Sequence, residues 1–390
     1  MRSLLSILFL AMASPVTAAE CGGSWGAFLK GAGEEAISRG VPADAAQAVI
    51  SAARQSNAVL KRDRSQSVFR QSFLKFSGRA VSADRLRRGA QMRAKYSDIF
   101  DRAAREYGVP AEVILAFWAM ETDYGAVMGD FHTVSALATL AHDCRRPELF
   151  RPQLIAAMAL VARGDQSVNE TGAWAGEIGH VQMLPGDILE RGIDGDGDGR
   201  VTIKTSAPDA ILSAAKMLDH HGWRSGEPWL VEVTAPDEFD WSVSGFGGDR
   251  SASDWAKIGI VPRAGAVSGD LKAALIAPQG RKGPKFLAFH NFQNVYLEWN
   301  KSLVNTTTAA YLATRLAGAA PYLKGSPDPA FNGDEMILLQ KRLQALGHDV
   351  GRLDGILGAK TRAAVRAEQS RLGLPADGWP TGALLQALKG

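Results

Sequence analysis

The chain has 390 residues, enough for one large and one small domain, and 46% of them are hydrophobic, as is typical of globular proteins with a buried core. The formal net charge of only +3 does not fit a dedicated nucleic-acid-binding protein, which would concentrate lysine and arginine. Composition therefore predicts a globular protein, and we expect no nucleic-acid partner.

The N-terminus has the three parts of an export signal. Arg2 supplies the positive start, a short apolar run follows, and small residues predict cleavage after Ala18 or Ala19. The apolar run is too short to span a bilayer stably, so we expect no transmembrane helix once residues 1–19 are removed. A buried first helix is the alternative interpretation.

The two cysteines, Cys21 and Cys144, predict one disulfide in an oxidising compartment. In the loop-entropy model, a closure of this length contributes about 4–5 kcal/mol. Two separate free thiols are the alternative. Cys21 also lies near the cleavage site, but Glu20 stands where a lipidation site requires a small residue. A soluble exported protein is therefore favoured over a lipoprotein.

Helical patterns dominate the first 221 residues. Apolar spacing with charged faces predicts helices at 43–60, 83–107, 134–140, 154–161 and 208–221. The next segment is rich in Trp, Pro, Gly and β-branched residues, which predicts short strands and loops over 227–283. Helix is expected again at 305–316.

The helix expected after Pro110 is the most informative element, because it carries Glu121 near its end. Pro110 suits the first turn of a helix and Gly125 suits its termination. Phe117 and Trp118 lie four and three positions before Glu121, so they share its face. A carboxyl at the end of an apolar stripe has its charged form disfavoured, which raises its pKa toward that of a general acid. A helix-end glutamate turned to solvent is the alternative.

A glycine-rich segment at residues 172–185 offers groups that suit a sugar. Trp174 presents a flat face for a sugar ring, and Gln182 has both a donor and an acceptor for hydroxyl or acetamido groups. Its glycines permit close approach of a chain or a ligand. A packed loop with Trp174 in the core is the alternative.

Two motifs together carry a family resemblance: Glu121-Thr-Asp-Tyr-Gly125 and Ala175-Gly-Glu-Ile-Gly-His-Val-Gln-Met-Leu-Pro185. They resemble the lytic murein transglycosylase B family, whose members cleave glycosides and have a lysozyme-like core. Further matching pieces are Ala136-Leu-Ala-Thr-Leu140, Arg145-Arg146 and Trp299-Asn-Lys-Ser302. The likeness covers most of residues 25–320. It implies a mainly α fold, in which a lysozyme-like catalytic domain carries short strand and loop insertions.

The resemblance implies cleavage of the β-1,4 bond between N-acetylmuramic acid and N-acetylglucosamine in peptidoglycan. The product would carry a 1,6-anhydro ring, and no water would be consumed. Glu121 would act first as acid and then as base, while the acetamido group of the substrate stabilises the intermediate. No cofactor is required for this chemistry. We expect a periplasmic monomer whose partners are the glycan strands and peptide stems of peptidoglycan.

The site residues follow from matching positions in the motifs. We expect substrate contacts from Tyr124, Trp174, Gln182, Trp299 and Asn300, of which Gln182 and Asn300 match family residues near the reacting centre. Arg145 and Arg146 match a pair that is placed to meet the peptide stem or its carboxylates, where bidentate pairing is effective. A solvated surface pair is the alternative for the two arginines.

Three positions depart from the family pattern. Ala173 stands where serine is frequent, and Trp299 stands where tyrosine is frequent, which keeps an aromatic wall but removes a phenolic hydroxyl. Glu177 replaces a small apolar residue. Glu177 and Asp123 are second carboxyls that could position water, so a hydrolytic muramidase is one alternative function. A non-catalytic wall-binding protein that keeps the fold is another.

The acidic, glycine-rich run at residues 194–202 matches the first half of a calcium loop. The expected ligands are the carboxylates of Asp194, Asp196 and Asp198, a backbone carbonyl of Arg200 and, by the resemblance, the carboxylate of Asp209. Thr205 stands where such loops have a closing glutamate. We expect a modified Ca²⁺ site that Na⁺ could also occupy, and an acidic turn without metal is the alternative. The histidines lack a zinc-binding pattern.

The end of the chain resembles the small helical peptidoglycan-binding domain. Leu339-Gln-Lys-Arg-Leu343 and Leu353-Asp-Gly-Ile-Leu-Gly358 carry most of the likeness, although Glu368 stands where an aromatic residue is usual. Such a domain raises the local substrate concentration by tethering, and a folding cap or spacer is the alternative. The expected domains are a signal peptide at 1–19, a catalytic domain at 20–322, a linker at 323–332 and a peptidoglycan-binding domain at 333–390.

Overall fold

The computed structural model describes residues 21–64 and 71–389, and in them the chain is mainly helical with a few short strands, as predicted. The expected signal peptide and its cleavage site lie outside the described residues. Within the described part, no helix combines the length and the apolar composition that crossing a membrane requires.

Six short helices form the N-terminal part of the described chain. They are α1 (Trp25–Ser38), α2 (Ala43–Ala52), α3 (Asn57–Arg64), α4 (Phe73–Ala80), α5 (Ala83–Lys95) and α6 (Ser97–Tyr107). The two long helices expected at 43–60 and 83–107 are each divided in two. After α2, the backbone N–H of Arg54 donates to the hydroxyl of Ser135 at 2.9 Å instead of continuing the helix. Between α5 and α6, Tyr96 has the non-helical angles φ −115° and ψ 32°.

The middle of the chain supplies five further helices. They are α7 (Ala111–Thr122), α8 (Thr133–His142), α9 (Pro147–Arg163), α10 (Pro185–Arg191) and α11 (Ala207–His220). A two-stranded antiparallel pair, β1 (Phe131–His132) and β2 (Thr171–Gly172), joins the start of α8 to the glycine-rich segment.

The segment expected to form short strands and loops, 227–283, contributes three strands to a four-stranded antiparallel sheet in the order β4-β3-β6-β5, and the fourth strand, β6, follows just beyond it. The strands are β3 (Leu230–Thr234), β4 (Val261–Pro262), β5 (Ala274–Ile276) and β6 (Phe286–Ala288). In this register Leu287 lies opposite both Val231 and Leu275. One helix of six residues, α12 (Ala252–Lys257), packs its buried Trp255 into the small core on this sheet.

The chain then returns to the main helical core. A π-helical stretch (Asn291–Tyr296) leads into α13 (Leu297–Trp299) and α14 (Leu303–Leu316). Helix α7 lies at the centre of this core, with every side chain from Val113 to Ala119 buried. Since the buried stretch of α7 is apolar on all sides, the core surrounds this stretch and fixes the position of the C-terminal end of the helix.

A disulfide joins Cys21 to Cys144, with Cα atoms 5.1 Å apart and 123 positions between them in the sequence. It ties the chain just before α1 to the connection between α8 and α9. The backbone N–H of Gly22 also donates to the carbonyl of His142 at 2.9 Å, so the two segments are held at adjacent points.

Residues 321–332 contain no helix or strand and lead to a small helical unit. Its helices are α15 (Gly333–Ala345), α16 (Ala359–Arg371) and α17 (Gly382–Ala387), which enclose their own apolar core. Glu368 is buried there, and its carboxylate binds both His348 at 2.8 Å and Arg371 at 2.6 Å. The carboxylate that replaces the usual aromatic residue is thus satisfied by the His348 ring and the Arg371 guanidinium instead of by aromatic packing.

Candidate active site

Glu121 lies in the last turn of α7, where the chain reverses. The helix is preceded by Pro110 and ends at Thr122, one residue after Glu121. Termination differs from the expectation in detail, because Asp123 rather than Gly125 takes the first left-handed conformation, with φ 54°. Three consecutive left-handed residues, Asp123, Tyr124 and Gly125, then turn the chain away.

Aromatic rings surround the Glu121 carboxyl. Phe117, one turn earlier on α7, packs against Trp299 with ring centroids 4.4 Å apart and against Tyr296 at 4.8 Å. The indole Nε1–H of Trp299 donates to Oε1 of Glu121 at 3.0 Å. Burial raises the pKa of Glu121 to about 7, and the hydrogen bond from Trp299 opposes part of that rise. The carboxyl is therefore protonated in much of the neutral pH range, as a general acid requires.

A second carboxyl, that of Glu177, lies near the first. Its charge adds to the rise in the pKa of Glu121, after the larger effect of burial. Burial also raises the pKa of Glu177 itself, and its Oε2 atom is buried without a hydrogen-bond partner among the described residues. Glu177 is therefore a carboxyl with an unused oxygen close to the candidate acid.

Asp123, the other carboxyl considered for hydrolysis, is engaged elsewhere. Its two oxygens accept from Arg85 at 2.9 Å and from Arg88 at 2.7 Å. Burial acts to raise the pKa of Asp123, but the two guanidinium hydrogen bonds hold it below its usual value. A carboxylate held by two arginines is poorly suited to take a proton from water at the reacting centre.

Tyr124 is also committed to the protein. Its hydroxyl donates to the carbonyl of Arg85 at 3.1 Å, and its ring packs edge-on against Trp118. Burial raises the pKa of this phenol well above its usual value. The structure thus connects Tyr124 to α5 and to the core, and a contact with substrate through its ring remains a proposal.

A contact that the sequence did not suggest joins α7 to the glycine-rich segment. Trp118 donates its indole N–H to Nδ1 of His180 at 3.1 Å, and the Thr122 hydroxyl donates to the His180 carbonyl at 2.6 Å. Burial lowers the pKa of His180, which keeps the ring neutral with its proton on Nε2. A Cβ at Gly125 would lie 2.4 Å from this ring, so the close approach requires glycine. Trp118 and Thr122 are four residues apart, a spacing that could have indicated one shared partner.

Gln182 and Trp174 occupy different surroundings within this segment. Gln182 has a left-handed backbone, φ 51°, and its Nε2 donates to the Gly179 carbonyl at 2.8 Å. Trp174 is partly buried and packs against the core around α8 and α9. Gly179 has φ 74°, and a Cβ there would lie 2.4 Å from the Ile203 carbonyl. Close packing against the backbone of Ile203 therefore accounts for the glycine at this position, without a ligand.

Asn300 directly follows the Trp299 that contacts Glu121. Its Oδ1 accepts from the backbone of Ser302 at 2.9 Å, and it lines a cleft of about 580 Å³ between the main helical core and the C-terminal unit. Asn300 therefore borders this cleft and is the next residue in the chain after the hydrogen-bond donor to Glu121.

Arg145 and Arg146 both bind the carboxylate of Asp63, which is 2% exposed. The two guanidinium groups are themselves 35% and 32% exposed. Asp63, which precedes them by 82 and 83 residues, holds both partly exposed side chains in place. Their remaining donors can still meet an external carboxylate.

The acidic loop brings part of its expected ligand set together. One carboxylate oxygen from each of Asp194, Asp196 and Asp209 lies within 4.8 Å of the others, and Asp209 is fully buried. Asp198 is not in this group, since its carboxylate accepts from the backbone of Arg200 at 2.9 Å. Three clustered carboxylates suit a hard cation such as Ca²⁺. Among the described residues no other group of acidic, His or Cys side chains is arranged in this way.

Comparisons with known proteins agree with the motifs. The family model described as "Transglycosylase SLT domain" matches residues 24–314, and the model described as "Putative peptidoglycan binding domain" matches residues 332–388. A curated relative, the membrane-bound lytic murein transglycosylase B of Escherichia coli (strain K12), is 32% identical over 195 residues. The match covers 49% of this chain and 53% of the relative, so the chain spans about half the length of that protein.

Solved structures give the same result. SltB3 from Pseudomonas aeruginosa, in complex with NAG-anhNAM-pentapeptide, is 34% identical with a TM-score of 0.86, covering 95% of this chain and all of that one. The Escherichia coli lytic transglycosylase Slt35 in complex with calcium is 24% identical with a TM-score of 0.63, covering 76% of this chain and 96% of that one, which shows the fold alone. The predicted family resemblance and the predicted fold class are confirmed.

Proposed function

The chain belongs to the transglycosylase SLT family, and from this premise we propose that it is a lytic transglycosylase. It would cleave the β-1,4 bond between N-acetylmuramic acid and N-acetylglucosamine in peptidoglycan and leave 1,6-anhydro ends. The observation that carries the proposal is the Glu121 carboxyl, whose pKa burial raises to about 7 beside the N–H of Trp299. The names of its relatives, a membrane-bound lytic murein transglycosylase B and an SltB3 solved with NAG-anhNAM-pentapeptide, support the same reaction.

In the first step, Glu121 donates its proton to the glycosidic oxygen as the bond to C1 breaks. Apolar surroundings favour the protonated form before the reaction, so the acid is ready at neutral pH. As the proton leaves, negative charge develops on the carboxylate, and the indole N–H at 3.0 Å stabilises that charge. The acetamido group of the substrate stabilises the positive charge at C1.

In the second step, the same carboxylate accepts the proton of the C6 hydroxyl as that oxygen attacks C1. The 1,6-anhydro ring forms, Glu121 is protonated again, and no protein nucleophile takes part. One carboxyl that alternates between acid and base needs a pKa near the working pH, which is the condition found at Glu121.

The remaining predicted residues would hold the substrate. Gln182 and Asn300 would contact the sugar near the reacting centre, with Trp174, Trp299 and the ring of Tyr124 as aromatic surfaces. Arg145 and Arg146 would meet carboxylates of the peptide stem while Asp63 keeps them in place. Such preorganised guanidinium groups lose little entropy on binding.

A hydrolytic muramidase remains the second candidate function, and Glu177 is the observation that favours it. Its buried Oε2 has no partner among the described residues, so it could accept a hydrogen bond from water at the site. Asp123 is a weaker candidate, because both of its oxygens bind arginines.

The domain organisation and location are part of the proposal. A signal peptide at 1–19 would export the chain to the periplasm, a catalytic domain would span 20–322, and a linker at 323–332 would precede a peptidoglycan-binding domain at 333–390. The matched family models and the wall-directed activity named for the relatives support this arrangement. We expect the mature protein to act as a monomer.

A calcium ion, or sodium in its place, would have a structural role. Asp194, Asp196 and Asp209 would hold it and so stabilise the loop that precedes α11. A relative of the same fold has been solved with calcium, and the three clustered carboxylates of this chain fit that ion. The reaction itself would need no cofactor.

Product analysis tests the proposed function. Purified peptidoglycan is digested with the wild-type protein and with Glu121→Gln, and the soluble products are identified by mass spectrometry. We expect anhydromuropeptides from the wild type alone, and a loss of turnover of about 10²–10⁴-fold in the variant, as for removal of a general acid. Glu112→Gln, on the same helix, serves as the matched control. Reducing ends would indicate the muramidase, and binding without products would indicate a non-catalytic protein.

A further inference from the structure

The cleft between the catalytic core and the C-terminal unit carries an excess of positive charge. Its described lining includes two arginines, Arg362 and Arg366, and one carboxylate, Asp377. Lys301 also lines the cleft, but its ammonium pairs with Glu298 at 2.6 Å. The rest of the lining is mainly apolar, with Phe246 from the loop before α12 among the aromatic residues. A cleft of this composition suits an anionic group on a larger, partly apolar ligand.

Two of these cations lie on one face of α16. Arg362 and Arg366 are four residues apart, so their side chains project to the same side of the helix. Arg362 is 9% exposed, and its guanidinium lies over the ring of Trp379, with 5.6 Å between the Arg362 Cζ atom and the ring centroid. Arg366 reaches the catalytic core, because a Cβ at Gly245 would lie 2.5 Å from its terminal nitrogens.

Neither arginine forms a salt bridge with a carboxylate within the described chain. Arg362 donates from Nη2 to the Pro278 carbonyl at 2.6 Å, and Arg366 donates from Nε to the Ala376 carbonyl at 3.3 Å. The buried Nε of Arg362 has no hydrogen-bond partner among the described residues. Burial lowers the pKa of Arg362 to about 10, which reflects a cation removed from water without full compensation.

The single Asp377 carboxylate is shared between the two cations and also accepts hydrogen bonds from other groups. Its Oδ1 accepts from Gln369 Nε2 and from the backbone of Trp379, each at 2.9 Å, and its Oδ2 accepts from the backbone of Arg281 at 2.9 Å. The two bonds to Oδ1 lie within the C-terminal unit, and the bond from Arg281 joins that unit to the rest of the chain. The two guanidinium groups therefore keep donors for a second anion.

We propose that Arg362 and Arg366 form a carboxylate-binding subsite for the peptide stem of peptidoglycan, in the cleft between the two domains. The inference rests on the proposed function, since the stem is attached to the sugar next to the bond that is cleaved. Asn300 lines the cleft and follows Trp299, which contacts Glu121, so the cleft and the candidate acid share one short segment. Docking of the C-terminal unit would thus complete the substrate site as well as tether the enzyme to the wall.

A direct binding experiment tests the subsite without relying on turnover. The full chain with Glu121→Gln is titrated calorimetrically with a stem tetrapeptide that has free carboxylates and with the same peptide after amidation. We expect the amidated peptide to bind at least tenfold more weakly. Addition of Arg366→Gln should weaken the free-carboxylate peptide about tenfold, whereas Arg352→Gln, an exposed arginine of the same unit, should not. Equal binding of both peptides, or an unchanged affinity in Arg366→Gln, would overturn the proposal.

Kinetics separates this inference from the proposed function. Arg366→Gln should raise KM about tenfold on glycan strands that carry stems and leave strands stripped of their peptides unaffected, with Arg366→Lys intermediate. An equal loss on both substrates would indicate that Arg366 is merely structural. Displacement of the peptide by equimolar inorganic phosphate would indicate a nonspecific anion site. Either result overturns the assignment. A wild-type protein that binds the stem but cleaves neither substrate would instead refute the proposed function alone.

Discussion

The indole Nε1–H of Trp299 donates a hydrogen bond to Oε1 of Glu121 at 3.0 Å, across 178 positions of the sequence. Trp299 is thus a donor to the candidate acid as well as an aromatic wall. Because the bond stabilises the ionised carboxyl, it limits the rise in the pKa of Glu121 that burial causes. One side chain therefore sets both the packing and the acidity at this point.

Trp299→Phe should keep the ring stacked on Phe117 but remove the donor. The pKa of Glu121 should then rise above its present value of about 7, so the alkaline limb of kcat/KM should move to higher pH. We expect kcat to fall about tenfold or more, since hydrogen bonds to charged groups contribute about 1.5–3 kcal/mol. The measurement is a pH–rate profile on peptidoglycan, with Trp25→Phe as the control. An alkaline limb that does not move would contradict this role.

Glu177→Gln should have the opposite effect on the same profile. The charge of Glu177 raises the pKa of Glu121, so its removal should move the alkaline limb to lower pH. Products should remain anhydromuropeptides if Glu177 only tunes the acid. Glu190→Gln, at an exposed position in α10, is the control. If the variant instead abolishes a reducing-end product formed by the wild type, Glu177 activates water and the muramidase interpretation gains support.

Glu121→Gln should make the protein more stable at neutral pH. The pKa of Glu121 is about 7 when folded and near 4.5 when unfolded, so the folded state binds more protons between these values. Stability contributed by this group is therefore present below pH 4.5 and is lost as the pH rises toward 7. The variant should gain up to about 3 kcal/mol at pH 8 and little at pH 4, because one pKa unit corresponds to about 1.4 kcal/mol. Chemical denaturation at both pH values measures this, and an equal gain at both would indicate that the acidity of Glu121 is not the cause.

The sequence was sufficient where the relevant signal is local. The 3.6-residue period and the flanking Pro110 placed the helix that carries Glu121, although the structure shows it apolar on all sides and not on one stripe. The two cysteines predicted the disulfide that the structure contains, because no other pairing exists. The helix predicted at 43–60 is too long because of a tertiary contact. The backbone N–H of Arg54 donates to the hydroxyl of Ser135 after α2 instead of continuing the helix.

Contacts between distant segments could not be predicted from the sequence. Asp63 lies in a strongly charged helix, and nothing near it indicates that it would be buried beneath Arg145 and Arg146. At position 299 the sequence indicates only an aromatic wall without a phenolic hydroxyl, because the direction of an indole N–H depends on how α13 packs. The Arg362 contact with Pro278 likewise exists only because two domains dock. Such partners are set by tertiary packing, which a local pattern does not contain.

Removal of calcium should lower the melting temperature, and Asp209→Asn should abolish that dependence. Asp209 is buried, its Oδ1 accepts from the backbone of Gly195 and its Oδ2 from that of Thr202, so it can fix the loop while it shares a cation with Asp194 and Asp196. A ligand present at 100 times its Kd stabilises a folded protein by about 2.7 kcal/mol, which corresponds to several degrees for a domain of this size. The measurement is thermal melting in a chelator, after return of Ca²⁺, and with Na⁺ alone, using Asp270→Asn in an exposed loop as the control. A wild-type melting temperature that is the same in all three conditions would show that this loop is an acidic turn and not a metal site.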